Sequence, residues 1–357
     1  MSPIRIGYIR DFRTDLIWFM GLPFLAIAVG LSCQQWLPLT AVASIALWIT
    51  IPHHFATWAR TYGMREDWQR FKSRLIVGPL VIASLTLLGV KYAPLSMFLL
   101  VILWDHQHSL MQQHGLARIY DFKARAGARS TGRFDLFLGI FLFGNMLITA
   151  PLWTEFWVFE LYRWNLAVGA ETVRTIHLVS WIGTGAYVCI YLGHVFWCGW
   201  QGYSINPAKY VFIISSYTLW YYASWHTNSF VVFAVSHRIM HGLQYILIVY
   251  WYFERKAERT SERPWIMPTL SMTRFFLLGI TYAFFYQLII LNPLDEFGFG
   301  ISNFLATQGE IPIKEGTSSS RAYDLYAATV VNSVAVIHYY FDSFIWKVSD
   351  AKTQEGL

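Results

Sequence analysis

Charged residues and cysteines are both scarce in this chain. Of its 357 residues, 13% are charged and 55% are hydrophobic, whereas soluble globular proteins carry about a quarter charged residues. This shortage excludes an ordinary water-exposed surface. The three cysteines, Cys33, Cys189 and Cys198, form no CxxC pair, which excludes a disulfide framework and thiolate-bound zinc or iron–sulfur clusters.

Motifs typical of soluble enzymes are missing as well. The sequence contains no GxGxxG fingerprint, no P-loop and no GxSxG nucleophile elbow. It therefore predicts no nucleotide-binding or flavin-binding domain and no serine hydrolase. It also predicts no nucleic-acid partner.

Long apolar runs separated by short charged clusters dominate the sequence. A run of about 20 residues is long enough to cross the hydrocarbon core of a bilayer. The pattern predicts an all-α protein, a polytopic integral-membrane helical bundle of about ten transmembrane helices, with residues 1–357 forming a single transmembrane domain among membrane lipids. The predicted spans are 15–34, 38–58, 75–93, 95–117, 134–153, 173–199, 207–226, 229–253, 271–292 and 322–347.

Lysine and arginine mark every second loop. They cluster in the N-terminal segment and in loops 59–74, 118–133 and 254–263, whereas the alternate loops are neutral or acidic. Because basic loops stay on the cytoplasmic side, the pattern predicts a protein of the inner (cytoplasmic) membrane with both termini in the cytoplasm. The polar, basic start of the chain and the lack of a small-residue cleavage site disfavour a removable signal peptide.

The histidines concentrate at one depth of this predicted bundle. Of the eleven, all but His177 and His226 fall in the inner half of the membrane under this topology. A lone histidine is more often a satisfied core residue, but ionisable groups within spans are costly and usually face a partner or a cavity. The depth-matched set therefore predicts a metal site. The candidate ligands are His53, His54, His106, His108, His114, His194, His237, His241, His338 and Asp342.

Helical spacing pairs some of these candidates. Residues three, four or seven positions apart share a face of a helix. His237 and His241 thus form an HxxxH pair that could hold one ion with two imidazoles, and His338 with Asp342 offers one nitrogen and one carboxylate.

The other candidates cannot all point at one ion. On a straight helix His106 and His108 point in nearly opposite directions, and His114 is turned further still. One or two of these three are therefore predicted ligands. Of His53 and His54, which diverge by about 100°, we favour His53, because the proline before it can bend the helix end.

Imidazoles and a carboxylate without thiolates suit iron, zinc, copper or manganese. Apolar surroundings favour oxygen chemistry on a membrane-dissolved substrate, and hydrocarbon oxidation needs a redox metal. We therefore expect non-haem iron, one or two ions, with O2 as co-substrate and a lipophilic lipid or isoprenoid as substrate. Hydroxylation or desaturation would also need an external electron donor, whereas dioxygenation would not. Haem is the competing cofactor, but histidine pairs on single helices fit its two axial positions poorly.

Four segments carry a family resemblance: IPHH (51–54), WDHQH (104–108), VSHRIMHGLQY (235–245) and VIHYYFDSFIWK (336–347). Their order resembles the Brp/Blh-type bacterial membrane β-carotene dioxygenases, which are polytopic iron proteins. The resemblance implies that His53, His106 or His108, and the pair His237 and His241 are iron ligands. More loosely, the HxxxH pair is similar to those of histidine-box membrane iron oxygenases and desaturases.

Two other function classes stay open. A transporter, or a protein that handles protons or metal ions, would also place histidines inside the membrane. Such a path would need His177 or His226 on the outer side, whereas an active site in the inner half would not. A subunit that only assembles with a larger membrane complex would bind no metal.

Overall fold

The computed structural model describes residues 4–290 and 321–357, and these residues are almost entirely helical. The final two residues of the predicted span 271–292 lie outside them. The helices are α1 (Phe12–Trp36), α2 (Leu39–Thr61), α3 (Arg65–Tyr92), α4 (Pro94–Ala124), α5 (Thr131–Thr149), α6 (Pro151–Arg163), α7 (Ala170–Trp200), α8 (Pro207–His226), α9 (Phe230–Thr260), α10 (Met272–Ile290), α11 (Arg321–Ile345) and α12 (Ala351–Gln354).

Six of these helices, α1, α3, α5, α7, α9 and α10, are long and apolar enough to cross a membrane. The prediction of a helical membrane protein is confirmed at this level. The other predicted spans coincide with the helices α2, α4, α8 and α11, which are not among these six. On α3 and α7 only 11% of the most apolar window is buried, so nearly all of that apolar surface is available to lipid.

The chain divides into two compact units. The first unit comprises Met1–Leu37 and Leu110–Met240, and the second comprises Pro38–Ser109 and His241–Leu357. Helices α4 and α9 each contribute residues to both. The prediction of one transmembrane domain over the whole chain stays a prediction.

In the second unit, α11 packs against α3 and α2, and α10 packs against α2. Leu75 from α3 forms a buried apolar cluster with Phe341 and Phe344 from α11. Gly78 allows the close approach of these two helices, because a Cβ atom there would lie 2.4 Å from the ring of Tyr340.

In the first unit, α5 packs against α7, and α1 packs against α8. A buried ion-pair network joins its helices: the Lys209 Nζ lies 3.0 Å from Asp121 and 3.2 Å from Asp135. The hydroxyl of Tyr191 donates to Asp135 at 2.7 Å. Both charges of each pair are thus compensated, as burial requires.

Candidate metal centre

Four histidines from four helices meet inside the second unit. His53 of α2, His108 of α4, His241 of α9 and His338 of α11 each offer one ring nitrogen, and these nitrogens lie within 4.8 Å of one another. All four side chains are buried, with exposures between 0% and 5%. We call this set the four-histidine group.

Two members have ring orientations that their hydrogen bonds explain. The Nδ1 of His53 lies 2.6 Å from the carbonyl oxygen of Thr50, and the Nδ1 of His338 lies 2.7 Å from the Oγ1 of Thr57. A carbonyl only accepts, so the Nδ1 of His53 carries the proton and its Nε2 carries the lone pair. The two Nε2 atoms face each other at 2.9 Å.

Thr57 relays this arrangement to a carboxylate. Its Oγ1 donates its hydrogen to the Oδ1 of Asp342 at 3.1 Å. A lone pair of the same oxygen can therefore accept a hydrogen bond from the Nδ1 of His338. With the protons placed in this way, both Nε2 lone pairs point at the same volume. Two lone pairs at this separation repel unless a cation lies between them, so this protonation pattern suits a metal ion. Without one, His338 would have to donate to His53 from its Nε2.

The spacing of the group also fits a single ion. Metal–imidazole bonds are about 2.1 Å long, so two ligand nitrogens on opposite sides of an ion lie about 4.2 Å apart. The four nitrogens here lie within 4.8 Å of one another, which is at most about 0.6 Å beyond that limit. Small side-chain rotations are therefore sufficient to bring all four nitrogens to one metal.

Asp342 lies where it could add an oxygen donor as a fifth ligand, or orient the histidines. Its Oδ1 accepts hydrogen bonds from Tyr245 at 2.7 Å and from Thr57 at 3.1 Å. Its Oδ2 lies 3.9 Å from the Nε2 of both His108 and His338. One oxygen of this carboxylate is therefore held by hydroxyl groups, and the other faces the histidine nitrogens.

Aromatic rings also pack against members of the four-histidine group. The ring of Tyr339 stacks on His108 with centroids 4.9 Å apart, and its hydroxyl donates to the Oδ1 of Asp105 at 2.9 Å. The ring of His54 lies 4.7 Å from those of His53 and His338. His54 is thus a neighbour of the four-histidine group without belonging to it.

Helical spacing within the sequence accounts for much of this geometry. Thr57 is four residues after His53, Tyr245 is four residues after His241, and Asp342 is four residues after His338. Residues with this spacing lie one above the other on one helix face. Each of these three helices therefore presents a candidate ligand together with a group that can support the site.

Three predicted candidates lie in other surroundings. The Nδ1 of His106 bonds to the carbonyl oxygen of Ile102 at 2.7 Å on its own helix. In the first unit, the ring of His194 stacks on Phe134 at 3.8 Å. His114, also in the first unit, lines a cavity of about 20 Å³, enough for about one water molecule.

His237, the predicted partner of His241, bonds to a tryptophan in the first unit. Its Nδ1 accepts a hydrogen bond from the Nε1 of Trp220 at 2.9 Å. A neutral imidazole that accepts at Nδ1 carries its proton on Nε2, so in this state it presents no lone pair to a metal. Of the HxxxH pair, the four-histidine group contains His241.

The residues that support the ligands were largely missed from sequence. Tyr245 and Trp346 were not candidates, although each lies four residues after a candidate ligand. The Nε1 of Trp346 donates to the hydroxyl of Tyr245 at 3.1 Å. Extending the stripe of His241 by one helical turn would have found Tyr245, and extending the stripe of His338 and Asp342 by one turn would have found Trp346.

Comparison with family models, curated proteins and solved structures found no match in any of the three. The geometry of the second unit therefore carries the functional argument.

Proposed function

We propose that this protein is an integral-membrane, histidine-ligated non-haem iron enzyme that uses O2 to oxidise a lipophilic lipid or isoprenoid substrate. The observation that supports it is the four-histidine group with Asp342 beside it, in a chain with six helices apolar enough to cross a membrane. A metal site explains why four helices each direct an imidazole toward one small buried volume.

Packing alone accounts poorly for this arrangement. A core position is usually filled by an apolar side chain, and a buried polar group costs free energy unless it is compensated. Four buried imidazoles increase that cost, whereas coordination to one cation satisfies all four of them. Supporting hydrogen bonds such as those of Thr50 and Thr57 are typical of the outer shell of metal sites.

Iron is the metal that fits the proposed chemistry. Imidazole ligands also suit zinc, copper and nickel, but oxidising a hydrocarbon requires a metal that exchanges electrons. When bound, iron would supply O2 activation. The protein would hold the ion through His53, His108, His241 and His338, orient the imidazoles through Thr50 and Thr57, and exclude water with the rings around them. His54 lies close enough to serve a second ion.

The proposal includes the full membrane topology. The predicted ten spans add α2, α4, α8 and α11 to the six apolar helices, with both termini in the cytoplasm of a cell with an inner membrane. Three of these four helices carry members of the four-histidine group, so the site would lie within the bilayer, where a lipid or carotenoid dissolves. If the reaction consumes electrons, an external donor would approach the basic cytoplasmic loops.

Metal analysis of the detergent-purified full chain tests this proposal. We expect about one or two iron ions per chain in the wild type and loss of metal in His241→Ala and in His338→Ala, because each removes a ligand from the four-histidine group. His237→Ala is the matched control, since it removes an imidazole one helical turn away and is expected to keep the metal.

Each outcome has a clear consequence. Wild-type protein without stoichiometric metal would contradict the proposal. Loss of metal in His237→Ala, with retention in His241→Ala, would move the site to a different set of ligands. Zinc in place of iron would retain the site and remove the oxygenase chemistry.

A proton-handling or ion-handling function is the second candidate, and one observation favours it. The first unit buries Lys209 between Asp121 and Asp135, and intramembrane charges often mark ion pathways. A pathway also needs groups on the outer side, such as His177, whose Nε2 lies 3.0 Å from the Oγ1 of Thr154. If His177→Ala abolishes proton or metal uptake by proteoliposomes, this function is favoured; an oxygenase would be unaffected.

A further inference from the structure

Tyr245 occupies an unusual position beside the candidate metal centre. Its ring centroid lies 5.5 Å from that of His53 and 5.6 Å from that of His338, and its side chain is buried. Tyrosine and tryptophan are the side chains most readily oxidised by one electron. A tyrosine at this distance can therefore exchange an electron with a metal held by those histidines.

The hydroxyl of Tyr245 is equipped to lose its proton. Oxidation of a tyrosine makes the phenol strongly acidic, so an electron leaves readily only when a base accepts the proton at the same time. The Oδ1 of Asp342 lies 2.7 Å from the hydroxyl and accepts its hydrogen bond. The indole N–H of Trp346 donates to the same phenolic oxygen at 3.1 Å and would stabilise the oxygen once its proton has moved.

The guanidinium of Arg60 lies over two aromatic rings near Tyr245, those of Trp346 and Tyr252. The guanidinium carbon of Arg60 lies 3.9 Å from the ring centroid of Trp346 and 4.1 Å from that of Tyr252. Arg60 is itself held by Asp67 at 3.3 Å and by the carbonyl of Ile345 at 2.6 Å. A cation over an aromatic face is attracted to the neutral ring and repelled by the oxidised, positively charged ring, so Trp346 is made harder to oxidise.

We infer that Tyr245 is a redox-active tyrosine, which gives one electron to the metal centre and its phenolic proton to Asp342, while Arg60 confines the resulting radical to Tyr245. The inference rests on the proposed function, which supplies the iron and the O2 that oxidises it. In this step the O–H bond of Tyr245 breaks, an O–H bond forms at the Oδ1 of Asp342, Tyr245 is oxidised by one electron and the O2-oxidised iron is reduced by one.

Tyr339 provides a matched control within the same unit. Its ring is as close to the four-histidine group as that of Tyr245, 4.9 Å from His108, and its hydroxyl also donates to a carboxylate, Asp105. The carboxylate beside Tyr245 is Asp342, whose Oδ2 lies 3.9 Å from the Nε2 of His108 and of His338. The two tyrosines therefore differ in the carboxylate that accepts their hydrogen bond.

The experiment is freeze-quench electron paramagnetic resonance of the full chain, loaded with Fe(II) in detergent and then mixed with O2. We expect an organic radical in the wild type whose hyperfine pattern changes when the protein contains ring-deuterated tyrosine and not when it contains deuterated tryptophan. Tyr245→Phe should lose this signal while it keeps its iron, and Tyr339→Phe should retain it.

A radical of wild-type intensity in Tyr245→Phe would overturn the inference, as would a spectrum that responds to deuterated tryptophan. Iron that binds and is oxidised by O2 without any tyrosyl radical would overturn this inference and leave the proposed function standing. Failure of the wild type to bind iron would overturn both. If Tyr245→Phe binds little iron, 3-fluorotyrosine at position 245 replaces it, and an unchanged hyperfine pattern then overturns the inference.

Discussion

Thr57 shows how much of the candidate centre depends on one small side chain. Its hydroxyl lies within hydrogen-bond distance of His338, Tyr245 and Asp342 at once. It is fully buried, so no water can replace a contact that is lost. A ligand, a carboxylate and the tyrosine inferred to be redox-active thus share a single hydroxyl group.

Replacing Thr57 with valine keeps the shape and removes this hydroxyl. Because outer-shell partners hold a ligand in its orientation, we expect metal affinity to fall by about 10-fold to 100-fold, measured by competition with a chelator. Thr61→Val is the control: Thr61 is equally buried, and its hydroxyl donates to the backbone carbonyl of Thr57. Equal affinity in the two variants would show that Thr57 does not orient the ligands.

Residue spacing predicted part of the centre from sequence. His53 was favoured over its neighbour, and the pairing of His338 with Asp342 follows from their four-residue separation. The choice between His106 and His108 could not be made, and His237 was predicted to bind together with His241, because the surroundings of each residue depend on how its helix is rotated against its neighbours. Periodicity along one helix contains no information about that rotation.

At the scale of elements, the positions of the helices were largely predictable and their packing was not. Apolar runs indicated helices close to those observed, because run length and charge clusters are local properties. The assignment of His237 and His241 to different units was not predictable: the chain passes from the first unit to the second between residues 240 and 241, within α9. A continuous helix gives no local sign of where its packing partners change.

The contact between α3 and α11 provides a test of packing at this scale. In Gly78→Ala the added Cβ would lie 2.4 Å from the ring of Tyr340, so the ring or the helix must move. We expect destabilisation of about 1–3 kcal/mol, seen as a lower Tm in detergent. Gly144→Ala on α5 is the control, because nothing lies within 4 Å of its added Cβ; a similar loss in both variants would refute the packing role.

At the scale of the whole molecule, one ion pair between the first turns of α3 and the segment before α12 makes stability depend on pH. Arg70 donates to Asp350, which precedes α12, and this hydrogen bond holds the pKa of Asp350 below its ordinary value. A carboxylate with a lowered pKa stabilises the fold above its ordinary pKa and loses that contribution as the pH falls through the lowered value. The loss of this stabilisation therefore begins only below about pH 4.

We expect Asp350→Asn to remove the part of the acid-induced loss of stability that comes from this ion pair. The variant should be less stable than the wild type at neutral pH, and the difference should shrink as the pH falls from 6 to 3. Thermal unfolding in detergent across that range measures it. A difference that stays constant with pH would mean that the pair does not contribute through its charge.

The distribution of polar residues among the helices also affects how the protein enters its membrane. His53, His108 and His338 lie on α2, α4 and α11, which are outside the set of six strongly apolar helices. Insertion of a helix from the translocon becomes less favourable with each polar residue near its centre. Under the proposed ten-span topology, α2, α4 and α11 are therefore expected to insert less readily on their own than the six apolar helices, which include α9 with His241. Leucine at these three histidine positions is expected to ease insertion and to remove three of the proposed ligands, so under the proposed function efficient insertion and metal binding make opposite demands on the same positions.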